Sequence, residues 1–268
     1  MFAIRPAPLH ILILGLTAFT ASPAQTTSSL AMTSAVPQFQ VAPRILVGKD
    51  WETLVVLLNS GQSSVSFQQA FFADGKPVAL SIRSESLGGD LTVPAIQGTV
   101  APGARITLAL ATSRQDLPEV WSLLSYAHGT LDGYTILRRK SQTGDFSFET
   151  TIPLSGTQDL STYLPFDNTQ GFRSQLTLVN PASDLSATVR LTYLNPEGGT
   201  VLIDSVLLTP AQQLTIILPD TYPDLANRAG TILIETDANR LSVAGLRQNV
   251  RYGVISALPA IAGRATLR

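Results

Sequence analysis

From about Phe39 onward, short apolar runs rich in Val, Ile, Leu and Thr alternate with clusters of Gly, Pro, Asn, Asp and Ser. That is the texture of many short strands joined by turns. Leu54 to Leu58, Val65 to Phe72, Arg105 to Leu110, Tyr134 to Leu137, Gln175 to Val179 and Thr188 to Leu194 read as strands. In Val189-Arg190-Leu191-Thr192-Tyr193 the odd positions are expected to face a core and the even ones solvent, because successive strand side chains point to opposite faces. Long helical periodicity is absent. The best helical stretches, Leu117 to Val120 and Leu225 to Arg228, amount to a turn or two. The pattern predicts an all-β protein.

Blocks of this pattern recur in one order. Trp51 to Asn59 aligns without gaps on Phe172 to Asn180, each an aromatic, a strand and an Asn opening a small-residue turn. Val65, Phe67, Gln69 and Gly75 fall opposite Val189, Leu191, Tyr193 and Gly199. The turns Asp74-Gly75 and Gly198-Gly199 read as hairpin closures. Val100 to Gly103 matches Leu208 to Ala211, Leu137-Arg138 matches Leu246-Arg247, and Thr151 to Pro153 matches Ala257 to Pro259. These matches predict two tandem immunoglobulin-like β-sandwich domains related by internal duplication, at residues 39–154 and 161–262, joined by a linker at 155–160 and followed by a tail at 263–268. About 100–115 residues and roughly seven strands per unit suit such a sandwich.

The N-terminal stretch reads differently. Arg5 precedes an apolar run from Leu9 to Phe19, and Ser22-Pro23-Ala24 offers small residues before Gln25. This predicts a signal peptide over 1–24. The apolar run falls short of the roughly 20 residues a spanning helix needs, so no membrane span is expected in the mature chain. Residues 25–38, rich in Thr, Ser, Ala and Pro, read as a flexible leader. A periplasmic or extracellular address follows.

Composition narrows the chemistry. The 268 residues carry 18 Lys+Arg against 19 Asp+Glu, so no global field draws nucleic acid or anionic lipid. With no cysteine, disulfides, thiol catalysis and Cys-ligated zinc are excluded. Each unit therefore has to be held by its own apolar core.

Further residues carry a family resemblance. They are Leu164-Pro165-Phe166-Asp167-Asn168-Thr169-Gln170-Gly171-Phe172, the Leu178-Val179-Asn180-Pro181 turn, and Leu218-Pro219-Asp220 followed by Tyr222-Pro223-Asp224-Leu225. On these the chain resembles a group of uncharacterised secreted bacterial proteins with tandem immunoglobulin-like sandwich repeats. The first unit departs from it, with Gly48-Lys49-Asp50-Trp51 where the second has Thr169-Gln170-Gly171-Phe172. The resemblance implies fold and export and no activity.

Candidate chemistry is sparse. His128 is the mature chain's one histidine and lies in an apparent turn, Ala127-His128-Gly129-Thr130. A triad could only pair it with Asp132 or another carboxylate, and no Gly-x-Ser-x-Gly elbow is present. Phosphate and dinucleotide loops are missing. Asp220 with Asp224 and Glu235 with Asp237 are carboxylate pairs of the kind hydrolysis needs, but acidic residues are also ordinary turn formers. Asp167-Asn168-Thr169 and Asp220 to Asp224 are oxygen-rich loops that a calcium ion could use, without an Asp-x-Asp-x-Asp ladder. No catalytic residue, cofactor or metal is assigned.

The candidate ligand surface is Trp121, Tyr126, Tyr134, Arg138 and Arg139. Trp121 has no aromatic counterpart in the second unit and, if exposed, could form a sugar platform with the tyrosines. Core packing is the plainer alternative for it. Arg138-Arg139-Lys140 could meet an anionic glycan or a carboxylate, or simply close a strand in solvent. The expected function is a secreted, non-catalytic interaction or structural module of the cell envelope or exterior, binding a protein or glycan through loops or strand edges. The alternatives are a periplasmic pilus-assembly-type chaperone, on architecture alone, and a carbohydrate-binding module.

Overall fold

Strands form where the alternation places them. The computed structural model describes residues 37–48, 50–112, 119–141, 145–156, 160–237, 240–249 and 251–263. The expected signal peptide, residues 25–36 of the leader, 157–159 of the linker, 264–268 of the tail and Leu117 and Pro118 lie outside these. In chain order the strands are β1 (Gln38–Ile45), β2 (Trp51–Asn59), β3 (Val65–Ala73), β4 (Lys76–Pro77), β5 (Leu80–Ser84), β6 (Gly89–Val93), β7 (Ala95–Val100), β8 (Arg105–Ala111), β9 (Val120–Tyr126) and β10 (Leu131–Lys140). They continue as β11 (Phe146–Pro153), β12 (Ser161–Asp167), β13 (Phe172–Val179), β14 (Ala187–Leu194), β15 (Thr200–Leu208), β16 (Gln213–Ile217), β17 (Ala229–Thr236), β18 (Ser242–Asn249), β19 (Val254–Leu258) and β20 (Ile261–Ala262). Helix among the described residues is one turn, α1 (Leu218–Thr221), and 3-10 turns at Glu85–Leu87 and Pro223–Leu225.

The strands make four antiparallel sheets. The first runs β1-β9-β3, with β4 and β7 both pairing with β3, and the second runs β11-β10-β2-β8-β5-β6. The third runs β15-β14-β17-β12-β20 and the fourth β16-β13-β18-β19. The protein is all-β, 65% strand and 5% helix, and the sheets are arranged as a four-bladed β-propeller. This corrects the expectation of two tandem immunoglobulin-like sandwiches, and with it the internal duplication. The described residues form one compact unit. The aligned blocks match as strands, but β2 is an inner strand of a six-stranded sheet and β13 of a four-stranded one. Period-2 alternation fixes which face of a strand is buried; it carries no information on which sheet covers that face.

Apolar clusters join the sheets. Phe67, Phe71 and Leu124 of the first sheet meet Val55, Ile82 and Leu108 of the second. Leu164, Val189 and Ile234 of the third meet Leu176, Leu178 and Ile216 of the fourth. A third cluster sets Leu137 and Ile152 of the second sheet against Ala244, Leu246 and Ile255 of the fourth. A fourth packs Val41 and Trp121 of the first sheet with Val179 of the fourth. The fourth sheet thus touches all the others through buried apolar side chains.

Local chemistry ends the strands. Asn59 and Asn180 are both fully buried. The Asn59 amide donates to the carbonyls of Ser63 (2.7 Å) and Val100 (2.9 Å), while its Oδ1 accepts from the Gly61 N–H (2.9 Å). The Asn180 amide donates to Leu185 (2.8 Å), Leu208 (3.2 Å) and Thr209 (3.1 Å), and its Oδ1 accepts from the Ala182 N–H (3.1 Å). Each ties turn backbone to a strand end, the buried carbonyls being those of Val100 and Leu208. Asp74 and Gly75 turn β3 into β4 with φ of 49° and 70°, the paired positive values a tight primed hairpin turn requires.

Candidate functional site

The five residues of the expected ligand surface separate in space. Trp121 on β9 is only 1% exposed. It stacks on Phe72 at 4.5 Å and 17°, and its Nε1 donates to the Ala211 carbonyl at 3.2 Å. Tyr126 is buried as well; its hydroxyl accepts from Gln40 Nε2 at 3.2 Å, and burial pushes the phenol up. Neither can stack on a sugar from solvent. Tyr134 is half-buried on β10, between Val56 of β2 and Pro153 of β11. Arg138, four residues on and on the same face, pairs with Glu149 at 2.9 Å and lies over the Phe146 ring at 5.0 Å. Arg139 takes the other face, flanked by Trp51 and Phe148. The structure therefore brings Tyr134 and Arg138 onto one face and leaves the other three elsewhere.

The remaining candidates are also placed by ordinary structure. His128 is exposed in the turn between β9 and β10, and Asp132 accepts from Ser60 Oγ at 3.2 Å. Asp220 is paired with Arg173, and Asp224 is exposed. Glu235 is exposed on β17, and Asp237 Oδ1 accepts from the Thr188 N–H at 2.9 Å. Asp167 accepts from the Thr169 N–H (2.9 Å) and Oγ1 (2.7 Å) and from Arg247 (2.7 Å). Burial raises its pKa, and these donors outweigh burial, holding it below the usual carboxylate range. Among the described residues no group of three or more His, Asp or Glu could hold a metal ion. No helix among them is long and apolar enough to cross a membrane.

What the sequence reading passed over is the open edge of the third sheet. Among the described residues its edge strand β15, Thr200-Val201-Leu202-Ile203-Asp204-Ser205-Val206-Leu207-Leu208, pairs only with β14. Ile203 is 52% exposed and Leu207 63%. Several other sheet margins carry protection: β4 is Lys76–Pro77, β6 carries Asp90, β11 carries Glu149 and ends at Pro153, β16 and β19 are five residues each, and β7, though uncharged, exposes only the polar Gln97 and Thr99. β15 has neither Pro nor Lys and only one charge. That charge, Asp204, accepts from the Tyr222 hydroxyl at 2.5 Å and from the Ser205 N–H at 2.7 Å. Burial, then the bond to Asp204, raises the Tyr222 phenol to about 12.

An apolar row continues inward from this edge. Ile203 lies beside Thr192, Thr192 beside Leu233, Leu233 beside Tyr163, and Tyr163 beside Ile261. Tyr163 and Ile261 are exposed with Ile203. The signal was present in Thr-Val-Leu-Ile-Asp-Ser-Val-Leu-Leu, an apolar run without gatekeepers. Sequence could not show that this strand lies at a margin. No family model, no curated protein and no solved structure matches this chain, and nothing in those comparisons bears on the resemblance noted above.

Proposed function

We propose that the chain is an exported, non-catalytic interaction module that takes an extended segment of a partner protein along β15. The open edge of β15 carries this reading. A partner strand would pair with its outward N–H and C=O groups, and its alternate side chains would cover Ile203 and Leu207. Main-chain pairing supplies affinity, and the apolar row supplies selectivity for apolar segments. The carbohydrate-platform alternative loses its support, since Trp121 and Tyr126 are buried. The pilus-chaperone alternative rested on two immunoglobulin-like domains, which the propeller arrangement replaces.

The test is capture from the organism's own envelope extract by the mature chain and by Leu207→Lys. This exposed change should shift stability by less than about 0.5 kcal/mol. A discrete protein retained by the parent and lost by the variant is the expected result. Equal retention by both, or recovery of a glycan in place of a protein, overturns the reading.

A further inference from the structure

A cleft opens where three sheets meet. Its volume is about 360 Å³. Thr151, Ile152 and Pro153 of β11 form one wall, and Val243 and Ala244 of β18 with Ala257 and Leu258 of β19 form another. Thr162 of β12 and Leu241 close the floor, where Ile152, Ala244 and Leu241 are buried. Ser155, Gly156, Pro259 and Ala260 make the rim.

Its lining has two properties. The first is charge: among the described residues no Asp, Glu, Lys, Arg or His lines it. Other hollows of the surface differ. One is lined by Arg83, Glu85 and Arg105, a neighbour adds Glu52 and Asp90, and another carries Arg228. The polar atoms of the side chains here are the hydroxyls of Thr151, Ser155 and Thr162, and that of Ser155 is already bonded to Ser242. The second property is side-chain size. Ala244, Ala257, Ala260 and Gly156 are small, and they keep the space open. Interiors ordinarily fill to crystal-like density, so a cleft this large held open by small side chains has room for a guest.

We infer that this cleft binds the alkyl chain of an amphiphile, an acyl or alkyl tail with at most one or two neutral polar atoms inside and its head group at the Gly156–Ala260 rim. A charged group inside would lose hydration with no counter-charge to meet it. A peptide segment would bring several amides, and the side chains of the lining offer only three hydroxyls, one of them already bonded to Ser242. An alkyl tail needs neither. It would also extend the apolar cluster of Leu137, Ile152, Leu246 and Ile255 that joins the second and fourth sheets. The tail therefore stabilises that junction by mass action. This site is separate from β15, so either assignment can fail without the other.

The experiment titrates the full chain with 1-decanol, decanoate and 1-butanol, by calorimetry and thermal melting below the aggregation limit of each probe. Saturable one-to-one binding of decanol, with a rise in melting temperature and no binding of butanol, is expected. Decanoate should bind too, its carboxylate remaining at the rim. Ala257→Leu fills the space, and Ala260→Asp, at an exposed position, puts a charge at the mouth. Ala257→Leu should weaken decanol, and Ala260→Asp should weaken decanoate by like-charge repulsion, each by at least about tenfold, and Ala257→Leu should melt no lower than the parent. If Ala257→Leu fails to fold, Ala260→Asp decides. No saturable binding by the parent, or equal binding by the folded variants, overturns the proposal.

Discussion

Asn180 shows how much one buried polar side chain can hold. Its amide and carbonyl serve turn backbone at Ala182, Leu185, Leu208 and Thr209, the last of which also accepts from the Gln212 N–H at 3.2 Å. Asn180→Ala removes a partner of the buried Leu208 carbonyl and hydrogen bonds to three less buried turn groups, each net bond worth about 0.5–1.5 kcal/mol. We expect a total loss of about 2–4 kcal/mol in urea unfolding, with water recovering part of the cost. A loss under about 0.5 kcal/mol would show that the turn re-pairs by itself. This role was partly legible, because Asn59 and Asn180 each follow a strand and open a small-residue turn. Tyr222 was not legible, since its behaviour depends on burial and on Asp204, a residue of β15 distant in sequence. Its phenol moves from 10.0 to about 12. The unfolded phenol therefore ionises first, and the folded one keeps its proton for longer. This contribution to stability is complete below pH 10 and disappears as pH rises toward about 12. Ultraviolet difference absorbance should show a tyrosine titrating near that value, and Asp204→Asn should bring it down. An unmoved titration in Asp204→Asn would remove Asp204 as a cause.

Elements were the most legible level, for a physical reason. Alternation is imposed locally, by the pleat and by one covered face, and a sequence of this composition writes it directly. Val189, Leu191 and Tyr193 are fully buried and Arg190 is exposed, as the pattern requires. Thr192 departs from it because Ile203 and Leu233 flank it across the face. The helical stretch at Leu225 to Arg228 shortened to a 3-10 turn ending at Leu225, and α1 went unpredicted because it starts at Leu218-Pro219, directly after β16. Register and closeness of neighbours are invisible to alternation. Gly230 of β17 is the clearest case: a Cβ there would sit 2.0 Å from the Leu194 carbonyl oxygen and 3.0 Å from the Phe166 ring. Backbone, unlike a flexible side chain, cannot swing aside. Gly230→Ala should therefore cost about 2–4 kcal/mol by forcing β14 and β17 apart. A denaturation midpoint equal to the parent's would mean the pair is looser than the geometry shows.

At the scale of the whole molecule the question is whether residues 37–154 and 160–263 unfold together. The contacts between them are specific. Arg44 of β1 is buried, and its guanidinium donates to Glu119 at 2.8 Å, to Thr177 of β13 at 3.1 Å and to Thr215 of β16 at 2.5 Å. Gln213 Nε2 donates to the Pro43 carbonyl at 2.9 Å. Both tryptophans lie at apolar contacts between the halves, Trp51 against the cluster of Ala244 and Leu246, and Trp121 beside Val179 with its indole bonded to Ala211. Apolar positions in the sequence point to a separate core in each half, because they do not show the surfaces that cover them. A junction so built predicts one cooperative transition, in which tryptophan fluorescence, reading the junction, and far-ultraviolet dichroism, reading all strands, coincide. Thr177→Val tests the link from the far side. It is nearly isosteric and removes one acceptor of a buried cation, so it should cost about 1–3 kcal/mol. If the junction couples the halves, both probes shift together. Fluorescence moving to lower denaturant while dichroism splits into two steps would show that the halves fold independently and only rest against each other.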